Sequence, residues 1–357
     1  MTDAYINRIA TAVPDCDVHT AFVDFAYDML AEERSRNIFQ RMAGKAAIHH
    51  RFSFIQTNGD TAKAPGVSAE KFYRRGDFPG TARRMEIFER FAPLLARCAL
   101  DKLALTASES GGISHVLVTC CTGLYAPGLD FEIVDHLNLD PGVERTMIGF
   151  MGCYAAINAL KLARHIVRSE SRSKVLVLNL ELCTLHLQET QDLELVLSFL
   201  IFGDGCAASL ISADPEGLSM DSFRAVLIPD TRDLITWKIR ELGFDMLLSG
   251  RVPCEIGQAL RFMSADITGC SHAQDLDLWA VHPGGRSVLD AVEQGLLLSS
   301  NALAPSRDVL ARFGNMSSAG VMFVLERVLR MADRGQRGCA MSFGPGLTAE
   351  TLLFHAA

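Results

Sequence analysis

Five short runs rich in Val, Leu, Ala and Ile recur along the chain, and helical stretches separate them. They are SHVLVTC (114–120), SKVLVLNL (173–180), CAASLIS (206–212), LWAVH (278–282) and GCAMSF (338–343). A strand that is apolar on both faces must be covered on both, so this alternation predicts a layered α/β fold. The pattern occurs in both halves of the chain, and ADPEGLSM, around 213–220, supplies a break between them. That break predicts an N-terminal unit over 1–213 and a shorter C-terminal unit over 214–357, structural echoes without a short-period sequence repeat.

Composition narrows the functions open to such a fold. With 49% hydrophobic and 21% charged residues over 357 positions, the chain fills cores for both units. A net charge of −8 argues against general binding to nucleic acid or anionic membranes and leaves local basic patches for anionic ligands. The most basic stretch is RSRNIFQRMAGKAAIHHRF (34–52), which follows an amphipathic helix predicted from the spacing of Phe22, Phe25, Ala26, Met29 and Leu30. Apolar runs such as LVLSFLIF (195–202) fall far short of the roughly 20 residues a membrane span needs. The N-terminal MTDAYINRIATAVPD lacks a basic region followed by an apolar core, so the expected location is the cytoplasm. There the ten cysteines are expected as reduced thiols, and no CxxC pair or Cys/His cluster has zinc-ligand spacing; no metal is predicted.

One cysteine stands apart. Cys153 follows a glycine and opens a helix predicted from Tyr154 to about Arg168, with Ile157, Leu160, Ala163 and Ile166 at helical spacing. The positive end of that helix favours a thiolate. His282 ends an apolar strand before Pro-Gly-Gly, and Asn315 lies in FGNMSSAG (313–320), between a glycine turn and a small-residue helix start. Cys, His and Asn together provide a nucleophile, an imidazole and a neutral donor, which suits thioester chemistry. Cysteine proteases use the same residue types in the same order, so residue identity alone leaves both chemistries open. The glycine-rich FGDG (202–205), HPGG (282–285) and FGPG (343–346) fit neither a dinucleotide fingerprint nor a P-loop and read as tight turns at strand ends.

Taken in order, GC at 152–153, FGDG at 202–205, HPGG at 282–285 and GNMSSA at 314–319 resemble the type III polyketide synthases, the chalcone and stilbene synthase superfamily. The resemblance runs from IATAVP (9–14) to FGPGLTAET (343–351). It implies a thiolase fold, two similar αβαβα halves in five layers, acting as a homodimer on acyl-CoA and malonyl-CoA with no cofactor beyond these thioesters. It also implies that Cys153 carries the acyl chain while His282 and Asn315 hold the thioester oxygen as malonyl-CoA loses CO2, with His282 the positive partner that keeps the thiolate ionised. Coenzyme A phosphates map to Arg41 and Lys45, with Ile38 at a third, normally basic position; Ser317 maps to the coenzyme A passage.

The pocket positions differ from those of the plant enzymes. Phe202 matches the first gatekeeper and Met246 the second, a more adaptable side chain than phenylalanine. Gly344 and Pro345 lie in the closing loop, where Ser342 replaces a glycine. Thr122, Ala126 and Cys183 map to the starter and cyclisation pocket, and their small side chains resemble bacterial long-chain alkylpyrone and alkylresorcinol synthases, as does LELCTLHLQ (180–188). The implied starter is a fatty acyl-CoA. The rival readings are a single-condensation ketoacyl synthase working on acyl carrier protein, and a non-catalytic acyl-CoA-binding protein of the same fold.

Overall fold

The computed structural model describes residues 2–57 and 65–357. In chain order, its strands of more than two residues are β1 (Tyr5–Ala12), β2 (Ile113–Cys120), β3 (Glu144–Gly149), β4 (Lys174–Leu182), β5 (Asp204–Ser212), β6 (Leu218–Leu227), β7 (Ile235–Arg240), β8 (Gly243–Leu248), β9 (Leu278–Val281), β10 (Arg337–Gly344) and β11 (Thr348–Ala356). Its helices of eight residues or more are α1 (His19–Met29), α2 (Glu33–Lys45), α3 (Thr81–Leu103), α4 (Leu129–Leu137), α5 (Ala155–Ser169), α6 (Leu193–Leu200), α7 (Val252–Phe262), α8 (Arg286–Gly295), α9 (Ala304–Phe313) and α10 (Ser318–Met331). All five apolar runs form strands within two residues of the expected bounds.

Nine strands hydrogen-bond in the order β9-β10-β11-β6-β1-β5-β4-β2-β3, while β7 and β8 form a separate hairpin. The turn at 213–217 divides this row. Strands β1 to β5 precede it and the others follow, and the two groups pair where Tyr5 and Ile6 of β1 face Ser219 and Leu218 of β6. On each side the pairing sense repeats: β1–β5 and β5–β4 are antiparallel and β4–β2 parallel, as β6–β11 and β11–β10 are antiparallel and β10–β9 parallel.

Alternation along the strands sorts the core into three bands. Val116, Val118, Leu176 and Leu178 face outward under α3, in one cluster with Phe88, Phe91 and Leu95. Leu117, Val175 and Val177 face inward, against Ile157 and Leu160 of α5 and Val321 and Met322 of α10. Ala340, Leu352 and Phe354 close that middle band from the other sheet, whose Cys339, Met341 and Phe343 point outward to α7, α8 and α9. The result is helix, sheet, helix pair, sheet, helix: the five-layered arrangement of the thiolase fold.

The middle helices explain their own sequences. Residues 318–325 of α10 are buried all round, as expected of a helix clamped between two sheets. Full burial of Val321, Phe323 and Leu325 contributes about 1.5–3 kcal/mol each. Both α5 and α10 begin at the carboxyl ends of the parallel strands, where open α/β sheets place their ligands. The 23-residue α3 was not read from the sequence: it starts after Gly80 with no side-chain cap and carries Pro93 within it.

Candidate active site

Every expected catalytic side chain lies just beyond a strand end or a helix start. Cys153 sits in a 3-10 turn, Gly152–Tyr154, that leads into α5. His282 follows β9, fixed by its N–H to the Met341 carbonyl at 2.8 Å, and Asn315 precedes α10. The glycine motifs meet in pairs across the molecule. FGDG lies along GNMSSA, with Gly203 N–H donating to the Asn315 carbonyl at 3.0 Å and Asn315 N–H to the Ile201 carbonyl at 2.7 Å. The GC turn packs on FGPG: Gly152 has φ +69°, and a Cβ there would stand 2.3 Å from Pro345 Cδ. A Cβ on Gly344 would strike Tyr154 at 2.6 Å. These glycines permit backbone contact between two remote segments.

Cys153, His282 and Asn315 line one cavity. The Cys153 thiol donates to Ser317 Oγ at 3.8 Å. Asn315 Oδ1 accepts the Ser317 N–H at 2.9 Å, and its Nδ2 donates weakly to the Gly284 carbonyl at 3.4 Å. Ser317 is held at φ +46°, an uncommon conformation for a side-chain-bearing residue. His282 is 2% exposed, and neither ring nitrogen has a partner of full hydrogen-bond geometry among the described residues, although the Asn315 side chain lies close enough to favour its charged form. A buried imidazole with so little of its hydrogen-bonding capacity used at a cavity wall is free to meet a ligand. Gly320 makes room for it: a Cβ there would lie 3.0 Å from His282 Cε1 and Nδ1.

The electrostatics bear on one expectation. Burial pushes the Cys153 thiol up to about 12, against a lowering by its bond to Ser317, and pushes His282 down to about 3, with Asn315 favouring its charged form. Desolvation thus opposes the helix end and disfavours charge on either group taken singly. A thiolate here needs a compensating cation, and the imidazolium formed when His282 takes the thiol proton supplies one.

Beneath the site lies a carboxylate that the sequence reading missed. Glu181, fully buried on the inward face of β4, accepts from Cys121 N–H at 3.0 Å, Thr122 Oγ1 at 2.8 Å and Ser318 Oγ at 2.6 Å. It ties the loop after β2 to the start of α10. Burial raises its pKa to about 7 although all three bonds lower it. Its only local signal was an acidic residue inside an otherwise apolar strand. Ser342, on the inward face of β10, is also buried, and its hydroxyl has no partner among the described residues.

Thr122, Cys183, Phe202, Met246, Gly344, Pro345 and Ser317 share the catalytic cavity. Cys183, Phe202 and Met246 form their own apolar cluster, which brings the two expected gate positions, 202 and 246, together. Ser317 thus stands beside the thiol itself, inside the catalytic cavity. Ala126 does not line the cavity of its own chain: it is exposed in the loop before α4, because the backbone turns outward after Gly123, which packs on Phe88. Lys45 lines a cleft that shares Leu248, Val252, Gly284 and Val288 with the catalytic cavity. Arg41 lies off that cleft, exposed beside Ile38 on the outer side of α2. A second cavity lies across Cys183, Phe199 and Phe202 from the first and is bounded by Ala21, Phe22 and Phe25 of α1. Among the described residues no cluster of three or more His, Cys, Asp or Glu is placed to hold a metal ion, and no helix is long and apolar enough to cross a membrane.

Comparison with known proteins agrees with this geometry. Residues 2–215 match the N-terminal domain of the chalcone and stilbene synthases, and residues 220–357 match their C-terminal domain. The alpha-pyrone synthesis polyketide synthase-like Pks18 of Mycobacterium tuberculosis is 36% identical over 99% of this chain and 91% of its own length. Bisdemethoxycurcumin synthase of Oryza sativa subsp. japonica is 30% identical over 99% of this chain and 92% of its own. The crystal structure of PKS-I from the brown alga Ectocarpus siliculosus superposes with a TM-score of 0.88 at 30% identity, covering 100% of this chain and 99% of that one. The type III domain of Steely1 from Dictyostelium, 22% identical over 99% of both chains, shares the fold with a TM-score of 0.88. The chain belongs to the chalcone and stilbene synthase family and is a type III polyketide synthase, an enzyme of the acyltransferase type.

Proposed function

We propose that the enzyme loads a long-chain fatty acyl group from coenzyme A onto Cys153, extends it with malonyl-CoA, and closes the product to an alkylpyrone or alkylresorcinol. In loading, Cys153 Sγ attacks the thioester carbonyl as His282 takes the thiol proton, and coenzyme A leaves with a proton. Malonyl-CoA then loses CO2, and its thioester oxygen becomes an enolate oxygen facing His282 and Asn315 Nδ2. Burial keeps His282 neutral at ordinary pH, so one ring nitrogen carries a proton to donate. The enolate carbon attacks the Cys153 thioester, the C–S bond breaks with its electron pair on Sγ, which regains a proton from solvent, and the extended chain departs on coenzyme A until it reloads. The relative named for alpha-pyrone synthesis favours lactone closure.

The observation that carries the long-chain reading is the second cavity beyond Cys183 and Phe202. Its wall along α1 is apolar, and each buried CH2 contributes about 0.8 kcal/mol, enough to favour long chains over short ones without polar contacts. Purified protein with malonyl-CoA and dodecanoyl- to octadecanoyl-CoA is expected to release triketide or tetraketide pyrones or resorcinols without carrier protein. A single β-ketoacyl product made only with carrier protein would reject the reading. Cys183→Phe narrows the partition and is expected to lower kcat/KM for octadecanoyl-CoA about tenfold or more relative to hexanoyl-CoA; an unchanged ratio removes the second cavity from the account.

The working unit under this reading is a homodimer. Strand β3 is a sheet edge with residues 144–147 exposed, and Phe131 and Met147 are exposed apolar side chains there. Light scattering after gel filtration is expected to give twice the chain mass.

A further inference from the structure

The cleft leading to Cys153 has a cation on its wall that lies far in sequence from the basic stretch at 34–52. Its outer wall carries Lys45 at the end of α2 and Arg286 at the start of α8. The two are joined, since the Arg286 guanidinium donates to the Lys45 carbonyl oxygen at 3.2 Å. Arg286 is also four residues from His282, on the turn whose Gly284 carbonyl meets Asn315. A group held by Arg286 is therefore registered against the catalytic side chains. On α2, by contrast, the position preceding Arg41 by one turn is the uncharged Ile38, and Arg41 itself lies off the cleft.

Arg286 has donors to spare. Its side chain is 51% exposed, and its nearest carboxylate, Asp290, stands 3.5 Å from Nε. Asp290 is already held by Arg307 at 2.8 Å, and Arg307 also binds Glu293 at 2.9 Å. Glu194, on the opposite wall of the cleft, accepts the Gly250 N–H at 3.0 Å. The free edge of a planar guanidinium suits bidentate contact with a phosphoryl group better than a lysine does.

We propose that Arg286, with Lys45, binds a phosphoryl group at the nucleotide end of the coenzyme A thioester, taking the place of the cation absent at Ile38. The proposal rests on the reading of the substrates as coenzyme A thioesters. The test compares wild type, Arg286→Gln and Lys45→Gln on an acyl-CoA and on the matching acyl N-acetylcysteamine thioester, which lacks the nucleotide and its phosphates. Arg286→Gln is expected to raise KM for the acyl-CoA about five- to twentyfold at low ionic strength, less at high salt, with KM for the truncated thioester and kcat on acyl-CoA each within about twofold. An equal change for both thioesters, or none for either, overturns the role of Arg286. If Lys45→Gln alone shows the selective loss, the proposal fails and the coenzyme A reading stands. If wild type uses both thioesters with equal KM, the coenzyme A reading fails as well.

Discussion

The two middle helices occupy equivalent places in their halves and do opposite work. Helix α5 follows the turn that carries Cys153, the proposed nucleophile, and α10 follows the turn that carries Asn315, the proposed neutral donor. Each is secured by a carboxylate from the other half. Glu181, from the strands before the 213–217 turn, holds Ser318 of α10; Glu350, from those after it, holds Asn158 at 3.0 Å and Lys161 at 2.7 Å on α5. The cross-bracing means that neither half positions its own catalytic group alone. The carboxylates differ in one respect that matters: Glu350 faces a lysine, whereas Glu181 meets only neutral donors in a dry site and is pushed up to about 7.

The largest expected effects separate the two helix starts. Cys153→Ala is expected to lower turnover to below about one thousandth of wild type, because the sulfur that takes the acyl chain is gone and Cys121 and Cys183, on the same cavity wall, are not expected to replace it. Asn315→Ala is expected to lower kcat about 10²- to 10³-fold while Cys153 still takes an acyl group, since its donor acts on the enolate. Asn315→Ala protein that is not acylated, by intact mass, would contradict this division.

The packing between halves comes next. Gly152→Ala places a methyl into Pro345 from a backbone at φ +69° and is expected to cost about 2–4 kcal/mol in denaturant unfolding. Gly344→Ala strains the opposite side of the same contact, so the double variant should cost less than the two together. Additive losses would show that GC and FGPG do not depend on each other.

The carboxylates give the smallest effects and the sharpest contrast. Because the folded protein holds Glu181 up at about 7, above its ordinary value of 4.5, it binds a proton that the unfolded chain releases. Its contribution to stability is full below about pH 4.5 and is lost as pH rises to 7. Glu181→Gln is therefore expected to flatten the fall in unfolding free energy between pH 5 and pH 8 by up to about 3 kcal/mol. Asp204, buried and likewise raised to about 7, keeps its own slope in that variant. An unaltered slope would remove Glu181 as a titrating brace. Glu350→Gln, which loses one ion pair to a partly exposed lysine, is expected to cost about 1–2 kcal/mol.

How much of this was legible in the sequence depended on whether the determinant was local. Strand runs, the glycine turns and the Cys, His and Asn positions were readable because backbone punctuation and side-chain type coincide there. Glu181 was not, because its partner Ser318 lies 137 residues away and an acid in an apolar strand looks like an exception until that partner is placed. Ala126 is the converse case: its position in the motif was visible, but the course of its loop, away from the cavity of its own chain, was not. The desolvation that raises the Cys153 thiol was not legible, because it comes from the surrounding layers while the helix end is local.

The claim that joins these observations is that one thiol among ten, the half-buried Cys153, accepts the acyl chain. Intact-protein and peptide mass spectrometry after brief mixing with hexadecanoyl-CoA tests it directly. The account predicts one hexadecanoyl thioester per chain, on Cys153, discharged when malonyl-CoA is added. An adduct on another cysteine, or one on Cys153 that persists through turnover, would contradict it.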